Sequence, residues 1–269
     1  MSHIRLIISD IDGTILNDLH QIDSDLLTLI PDLKREEIPF VLASARSPKG
    51  MAPIAKELGI EDSPMACYNG ALIQKGEQIL FEHPLDNTEA RHFIDWANQY
   101  FPQVSINLYS GEDWMTDRLD QWSQEEARIT GENPLILPLS DSLLDPTKPL
   151  HKLLLIGEPE EIQALYRTIS TKDFPSTAFY LSKANYLEVT AKQVSKENAL
   201  VELANHFHLI LEEVLTMGDN YNDLPMLKKA GIGVAMGNAP QEVKDGATVV
   251  TKTNNENGAG QAVETYVLI

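Results

Sequence analysis

The sequence predicts an α/β protein with a parallel-sheet core interrupted by an inserted α/β module. Three observations carry this. Apolar runs too short for helices alternate with amphipathic segments, the pattern of strand–helix–strand units. The texture changes between about Asn87 and Asn185 and then returns. Polar residues suited to chemistry follow the apolar runs, where open α/β sheets bind ligands.

In order, Ile4–Ile8 is apolar with β-branched residues and reads as a buried strand. Asp23 or Ser24 caps a helix with Leu26, Leu27, Ile30 and Leu33 at helical spacing, and Pro31 is expected to kink or split it. Phe40–Ala43 is a second strand. Pro48 opens a helix that ends near Leu58 and Gly59, with Pro53 as a further interruption. Met65–Tyr68 is a third strand and Asn69-Gly70-Ala71 its turn. Leu72-Ile73 and Ile79–Phe81 form a hairpin expected to lead away from the sheet, and His83-Pro84 marks a break.

The inserted stretch predicts a helix over Thr88–Tyr100, paired strands at Val104–Leu108 and Trp114–Thr116, a strand at Leu153–Ile156 and a helix over Glu160–Ile169. Short strands follow at Ala178–Leu181 and Tyr186–Val189. Gly131–Pro149 is rich in proline and turn residues and carries no clear period. Trp96, Trp114 and Trp122 read as core or interface residues rather than a binding cage. The first texture resumes with a helix over Ser195–Phe207, a strand at Val214–Met217, a helix at Leu224–Lys229, strands at Ile232–Ala235 and Thr248–Val250, and a closing helix at Gly260–Val267. The division this suggests is a core of 1–84 and 186–269 with an insert of 85–185.

A chain of 269 residues supports a large core and one or two domains. Acidic residues outnumber basic ones 40 to 21, for a formal charge of −19, a field that opposes nucleic acid and anionic membranes. Any anionic substrate therefore needs cations built into its site. No apolar stretch has the length of a membrane span and no cleavable leader is evident, so a soluble, cytoplasmic protein is expected. The single cysteine, Cys67, has no partner for an internal disulfide and reads as a packing residue. The chain is compatible with a monomer or a homodimer.

The chemistry begins at Asp10-x-Asp12-Gly13-Thr14. Residues two apart in extended backbone point the same way, so the two carboxylates project together where the first strand ends. Gly13 permits a tight turn and close approach of backbone N–H groups to an anion. Ser44 follows the second strand, beside the N–H groups of Ala45 and Arg46; Lys196 opens a helix; Gly218-Asp219-x-x-Asn222-Asp223 follows a later strand. Each has a plain structural reading: paired aspartates as turn formers, Ser44 as a cap, Lys196 as a solvated charge, the last loop as a helix cap. Together, Asp10, Asp12, Asp219 and Asp223 in one crevice demand a cation, and Mg2+ suits few carboxylates, some waters and a substrate phosphate.

The four motifs, in this order and after strands, resemble the haloacid dehalogenase (HAD) superfamily of phosphatases. Asn69-Gly70-Ala71, Val194-Ser195-Lys196 and Val234-Ala235-Met236-Gly237-Asn238-Ala239 are similar to its Cof-type subfamily, and most of all to that subfamily's sugar-phosphate phosphatases. The likeness covers nearly the whole core; in the insert, only placement and α/β character agree. It implies a Rossmann-like core of HAD fold with a large α/β cap that selects the substrate. Two departures stand out. Ser44-Ala45-Arg46 replaces the usual Thr-Gly-Arg, and Glu197 follows Lys196 where glycine is usual, which places a negative charge beside the phosphate-binding lysine.

The resemblance implies that Asp10 is the nucleophile, forming an aspartyl-phosphate, and Asp12 the general acid and base. It implies Mg2+ on Asp10, Asp12 (through its carbonyl), Asp219 and Asp223, the last as ligand or orienter. Phosphate is held by Ser44, Lys196 and Asn222, with N–H groups near Gly13 and Ala45; Asn69 steadies nucleophile or phosphate. Ser44 and Lys196 thus count with Asp10 and Asp12 as the catalytic set. The expected partner is a small phosphorylated metabolite; Lys183, Asn185 and Tyr186 are candidates to contact it from the cap. Other readings stay open: a phosphomutase of the same superfamily, a receiver-type phospho-accepting module, and a binding protein for phosphorylated metabolites without turnover.

Overall fold

The computed structural model describes residues 4–139, 148–169 and 173–268. Two compact units emerge: Met1–Arg46, Met51–Phe81 and Ser195–Ile269 form the first, Ser47–Gly50 and Glu82–Val194 the second.

The first unit is built on an eight-stranded sheet. Its strands are Leu6–Ser9 (β1), Phe40–Ala43 (β2), Met65–Cys67 (β3), Leu72–Lys75 (β4) and Gln78–Glu82 (β5), followed after the second unit's strands by Val214–Gly218 (β12), Ile232–Ala235 (β13) and Val249–Val250 (β14). They lie in the order β14-β13-β12-β1-β2-β3-β4-β5. From β14 to β3 the pairing is parallel, and β4 turns antiparallel onto β3. The Leu72–Phe81 hairpin therefore stays in the sheet rather than leaving it. Its apolar residues explain this: Ile73 is fully buried with Ala66, while Leu80 and Phe81 pack against the same cluster.

Register sets what comes next. Ser9 pairs with Met217 on one side and Leu42 on the other. The residues just past the carboxyl ends of β1, β2 and β12 thus emerge side by side, at the ~4.8 Å spacing of neighbouring strands. The helix Lys196–His206 lays Ala199, Leu200, Leu203 and Ala204 on Leu6, Ile8, Val41 and Ala43. Each such buried leucine contributes ~1.5–3 kcal/mol.

The helix Ser24–Arg35 runs unbroken through Pro31, and Pro48–Leu58 through Pro53. Both prolines are exposed, so the carbonyl that each leaves without a helical partner has access to water and the expected breaks do not occur. Asp23 caps the first helix, accepting from Asp25 N at 3.0 Å and Leu26 N at 2.9 Å, a contribution of about 1 kcal/mol.

The second unit has a six-stranded sheet of Ser105–Ser110 (β6), Asp113–Thr116 (β7), Leu135–Ile136 (β8), Lys152–Ile156 (β9), Thr177–Lys183 (β10) and Tyr186–Ala191 (β11), ordered β10-β11-β9-β6-β7-β8. The predicted β6–β7 pair forms, and the two short strands β10 and β11 also pair, both antiparallel. β11 pairs with β9 and β10, so Tyr186–Ala191 belongs to this sheet and not with the resumed core, as a division at 185/186 would have it. Within Gly131–Pro149, Leu135–Ile136 pairs parallel to β7, and 140–147 lie outside the described residues. Helices Asn87–Tyr100 and Pro159–Thr168 bury Phe93, Ile94, Ile162 and Leu165 on one sheet face with Leu108, Leu153, Leu155, Leu187 and Val189. The alternate residues, among them Asn107, Tyr109, Lys152 and Glu188, point to the other face. Trp114 is buried, donating to Asn107 Oδ1 at 2.9 Å, and Trp96 packs on the core. Cys67 is buried and in no disulfide. Among the described residues, no helix is long and apolar enough to cross a membrane.

Candidate active site

Asp10 takes the first position after β1, its N–H donating to Met217 O at 3.0 Å, so the β1–β12 ladder sets where its carboxylate emerges. It is buried, and Lys196 Nζ donates to its Oδ1 and, at 2.6 Å, to Asp223 Oδ1. The Asp223 Oδ2 is occupied too, accepting from Asp219 N at 3.1 Å and Asn220 N at 3.0 Å. Asp223 thus knits the β12 loop to the lysine. Carboxylate oxygens of Asp10, Asp219 and Asp223 lie within 4.8 Å of one another.

Electrostatics follow from this crowding. Burial, then repulsion by Asp223 and Asp219, pushes the Asp10 carboxyl up to about 7 against the opposing pull of Lys196. Burial and Asp223 push Asp219 up to about 6. Burial alone would lower the Lys196 pKa, but Asp10 and Asp223 outweigh it and hold it above the ordinary lysine value. One buried ammonium thus faces three carboxylates. The donor set is all carboxylate oxygen, which fits a hard divalent cation such as Mg2+.

Asp12 stands apart from that cluster. Its carboxylate is partly exposed and clamped by Arg46, with Nε to Oδ2 at 2.8 Å and Nη2 to Oδ1 at 2.6 Å, a forked pairing. The expected cluster of four carboxylates is thus a cluster of three among the described residues, because the Asp12 side chain is drawn off by Arg46. Gly13 adopts φ +76°, and a Cβ there would lie 2.4 Å from Asp219 Oδ2, so only glycine lets the two loops meet.

Ser44 is buried past β2, its N–H donating to Ala66 O and its Oγ accepting from Arg46 N at 3.3 Å. Ala45 is not among the described residues of positive φ, so replacing glycine there strains nothing. Asn69 donates its N–H to Ser44 O at 2.7 Å, and its Oδ1 meets Asn222 Nδ2 at 3.4 Å. Tyr68, Asn69 and Gly70 all have positive φ, a strained run. Gly70 is needed because a Cβ would come within 2.9 Å of Ala199 on the Lys196 helix. Glu197 is drawn to Lys229 Nζ at 2.7 Å, so its charge is partnered rather than left beside Lys196.

The predicted Asp10, Asp219, Asp223 and Lys196 are brought together; Asn69 joins Asn222, and Ser44 joins both the Asn69 backbone and Arg46. In the second unit, Lys183 lies over the Tyr186 ring at 4.2 Å, Tyr186 donates to Glu126 Oε2 at 2.7 Å, and Asn185 O accepts from Gly157 N. Sequence reasoning assigned no role to two residues of the site: Arg46, which grips Asp12, and Asn238, which reaches Gly13 O and Asp219 Oδ2. Their order in the chain carries no sign of these contacts.

The chain matches the haloacid dehalogenase-like hydrolases over residues 7–263. A Haemophilus influenzae protein named "Putative phosphatase" is 37% identical over 265 residues, covering 97% of each chain. The 5-amino-6-(5-phospho-D-ribitylamino)uracil phosphatase YcsE of Bacillus subtilis is 28% identical, covering 98% of this chain and 96% of its own. The crystal structure of a haloacid dehalogenase-like hydrolase from Bacteroides thetaiotaomicron superposes with a TM-score of 0.88 at 30% identity, covering 97% and 98%. With its parallel-sheet core and this site, the chain belongs to the haloacid dehalogenase-like hydrolase family and is an enzyme of its phosphatase class.

Proposed function

We propose that this enzyme is a Mg2+-dependent phosphatase acting on phosphomonoesters of small metabolites, with sugar phosphates as its substrate class. The observation that carries the reading is the cluster of Asp10, Asp219 and Asp223 about Lys196, at the carboxyl ends of adjoining parallel strands. Asp10 and Asp219, with the backbone carbonyl of Asp12, would hold the metal, and Asp223 orients both Lys196 and the Asp219 loop. Bound Mg2+ supplies positive charge to the phosphoryl oxygens and lowers their repulsion of the incoming carboxylate.

The Asp10 carboxylate attacks phosphorus in line, and the bond to the leaving oxygen breaks as Asp12 gives that oxygen a proton. An aspartyl-phosphate results. Water then attacks its phosphorus, Asp12 takes the proton, and Asp10 and inorganic phosphate are released. Asp12 enters the first step protonated, so the forked Arg46 pairing opens at one oxygen while Asp12 carries the proton that it gives and then regains, and the other oxygen stays held. Lys196, Ser44 and Asn222, with N–H groups near Gly13 and Ala45, bind the phosphoryl oxygens as charge shifts among them. Asn69 steadies Asn222. The second unit serves as the inserted cap that selects the substrate. Support for a polyhydroxylated substrate comes from the core motifs shared with sugar-phosphate phosphatases and from the phosphorylated ribityl compound named for the Bacillus subtilis relative.

The test is phosphate release from a panel of phosphorylated sugars, polyols and an aryl phosphate, with and without Mg2+, using Asp10→Asn as the blank. Metal-dependent release by the wild type, reduced by about a thousandfold or more in the variant, is expected. Absence of release across the panel, with phosphoryl movement within a sugar instead, would overturn hydrolysis in favour of a mutase.

A further inference from the structure

Asn238 lies in the loop after β13 and is held at both ends of its amide. Its Nδ2 donates to Gly13 O at 2.8 Å and to Asp219 Oδ2 at 3.3 Å, and its Oδ1 accepts from Asn254 N at 3.0 Å. Two acceptors face its nitrogen and one donor faces its oxygen, so the network fixes the amide's orientation. The loop itself is pinned: Met236 N donates to Gly218 O at 3.0 Å, and Gly237 N to Lys252 O at 2.9 Å. The far side is anchored as well. Asn254 Nδ2 donates to Leu16 O at 3.0 Å, and Asn255 Nδ2 to Asp18 Oδ2 at 3.0 Å.

Asp219 has few other restraints. Its loop is fixed through its backbone N–H on Asp223, and the Asn238 side chain donates to its carboxylate. An amide suits that position. An ammonium or guanidinium against Oδ2 would neutralise the carboxylate and compete with a bound cation, whereas a neutral donor orients it and leaves its charge intact. The same NH2 group holds Gly13 O, so one side chain ties the metal-facing carboxylate to the turn that follows the nucleophile.

We propose that Asn238 is a positioning residue for the divalent cation: it orients the Asp219 carboxylate and locks it to the Gly13 turn, and is itself oriented by the Asn254 N–H. This rests on the metal-dependent reading above. The experiment is Mn2+ binding to the full-length protein, followed by the free-ion electron paramagnetic resonance signal, with Mg2+ competition and metal-activation curves alongside. Asn238→Ala should weaken Mn2+ binding about tenfold or more and raise the metal concentration for half-activation by a similar factor. Its kcat at saturating metal should change far less. Asn255→Ala, which removes its own hydrogen bonds with Asp18 but leaves Asn254 and Asn238 in place, should lower Tm while keeping Mn2+ affinity within about twofold. Equal Mn2+ affinity in Asn238→Ala and wild type would overturn the inference alone, as would equal weakening in both variants, which would mark loop order as the cause. A wild type that binds no Mn2+ would instead overturn the metal-dependent reading, and the inference with it.

Discussion

Both units bury ionisable side chains, but they balance the charge differently. Around Asp10 the account is left open, with Lys196 facing three clustered carboxylates and two of these raised toward neutrality by burial and mutual repulsion. In the second unit the groups are matched locally. Glu188 accepts from Tyr180 at 3.0 Å and lies 3.8 Å from Lys152 Nζ, which sits over the Tyr109 ring, and Glu126 accepts from Tyr186. His151 lies between Gly111 N, which donates to its Nδ1 at 2.9 Å, and Glu82, 3.2 Å from its Nε2. A folded chain gains nothing from an excess of buried like charge, so the excess in the core supports the proposed role of this cluster in holding a cation. Paired burial, by contrast, is what a sheet face needs simply to be folded.

The largest test of that contrast removes a buried lysine from each unit. Lys196→Met leaves Asp10 and Asp223 without it and should lower stability by about 3–5 kcal/mol. It should also lower kcat/KM by about a hundredfold or more through loss of phosphoryl binding. Lys152→Met should cost less stability, because Tyr180 still donates to Glu188. Thermal unfolding compares the two, and equal losses would break the distinction between open and matched charge.

A smaller effect is expected from pH. The Asp10 and Asp219 pKa values are raised in the fold from 3.8 to about 7 and about 6, so without metal the native state binds more protons than the unfolded chain between those values. The contribution of these groups is therefore complete below 3.8 and is lost progressively as pH rises from there through about 6 to 7. A divalent cation competes with the same protons. The increase in Tm on adding Mg2+ should be larger at pH 8 than at pH 5; a pH-independent increment would count against the cluster as the metal site.

The smallest effect lies in the second unit, with the opposite sign. Burial lowers the His151 pKa below its ordinary 6.5, outweighing the pull of Glu82, and protonation would set a second N–H against the Gly111 donor. Its contribution to stability is thus complete above about 6.5 and is lost as pH falls toward the lower folded value. Imidazole nitrogen shifts in an NMR pH titration should place the midpoint below 6.5, with the neutral ring's proton on Nε2. A midpoint above 6.5 would show that the second unit, too, carries unmatched charge.

Much of the core was legible in the sequence because its signals are local. An apolar run ending in Asp-x-Asp-Gly-Thr, and Gly-Asp-x-x-Asn-Asp after Val214–Met217, mark strand ends whatever surrounds them. The hairpin after β3 was read as leaving the sheet because its turn is visible in sequence, while its edge partner is not. The prolines were read as helix breaks because sequence does not show which face of a helix meets water. The strand Tyr186–Ala191 was divided from its sheet because composition changes near there, whereas pairing depends on the distant Leu153–Ile156.

The sequence alone determined which residue types would end the core strands, and hence that carboxylates, a hydroxyl, an amide and a lysine would gather on one edge of a parallel sheet. That much follows from period and order along the chain. Tertiary structure decided the pairings: Arg46 on Asp12, Lys196 shared between Asp10 and Asp223, Glu197 turned to Lys229, and Asn238 set on Asp219. These depend on strand register, on which face a helix buries, and on glycines at points of close approach. Contacts between residues as far apart as Asp10 and Lys196 exist only once the sheet has brought them together.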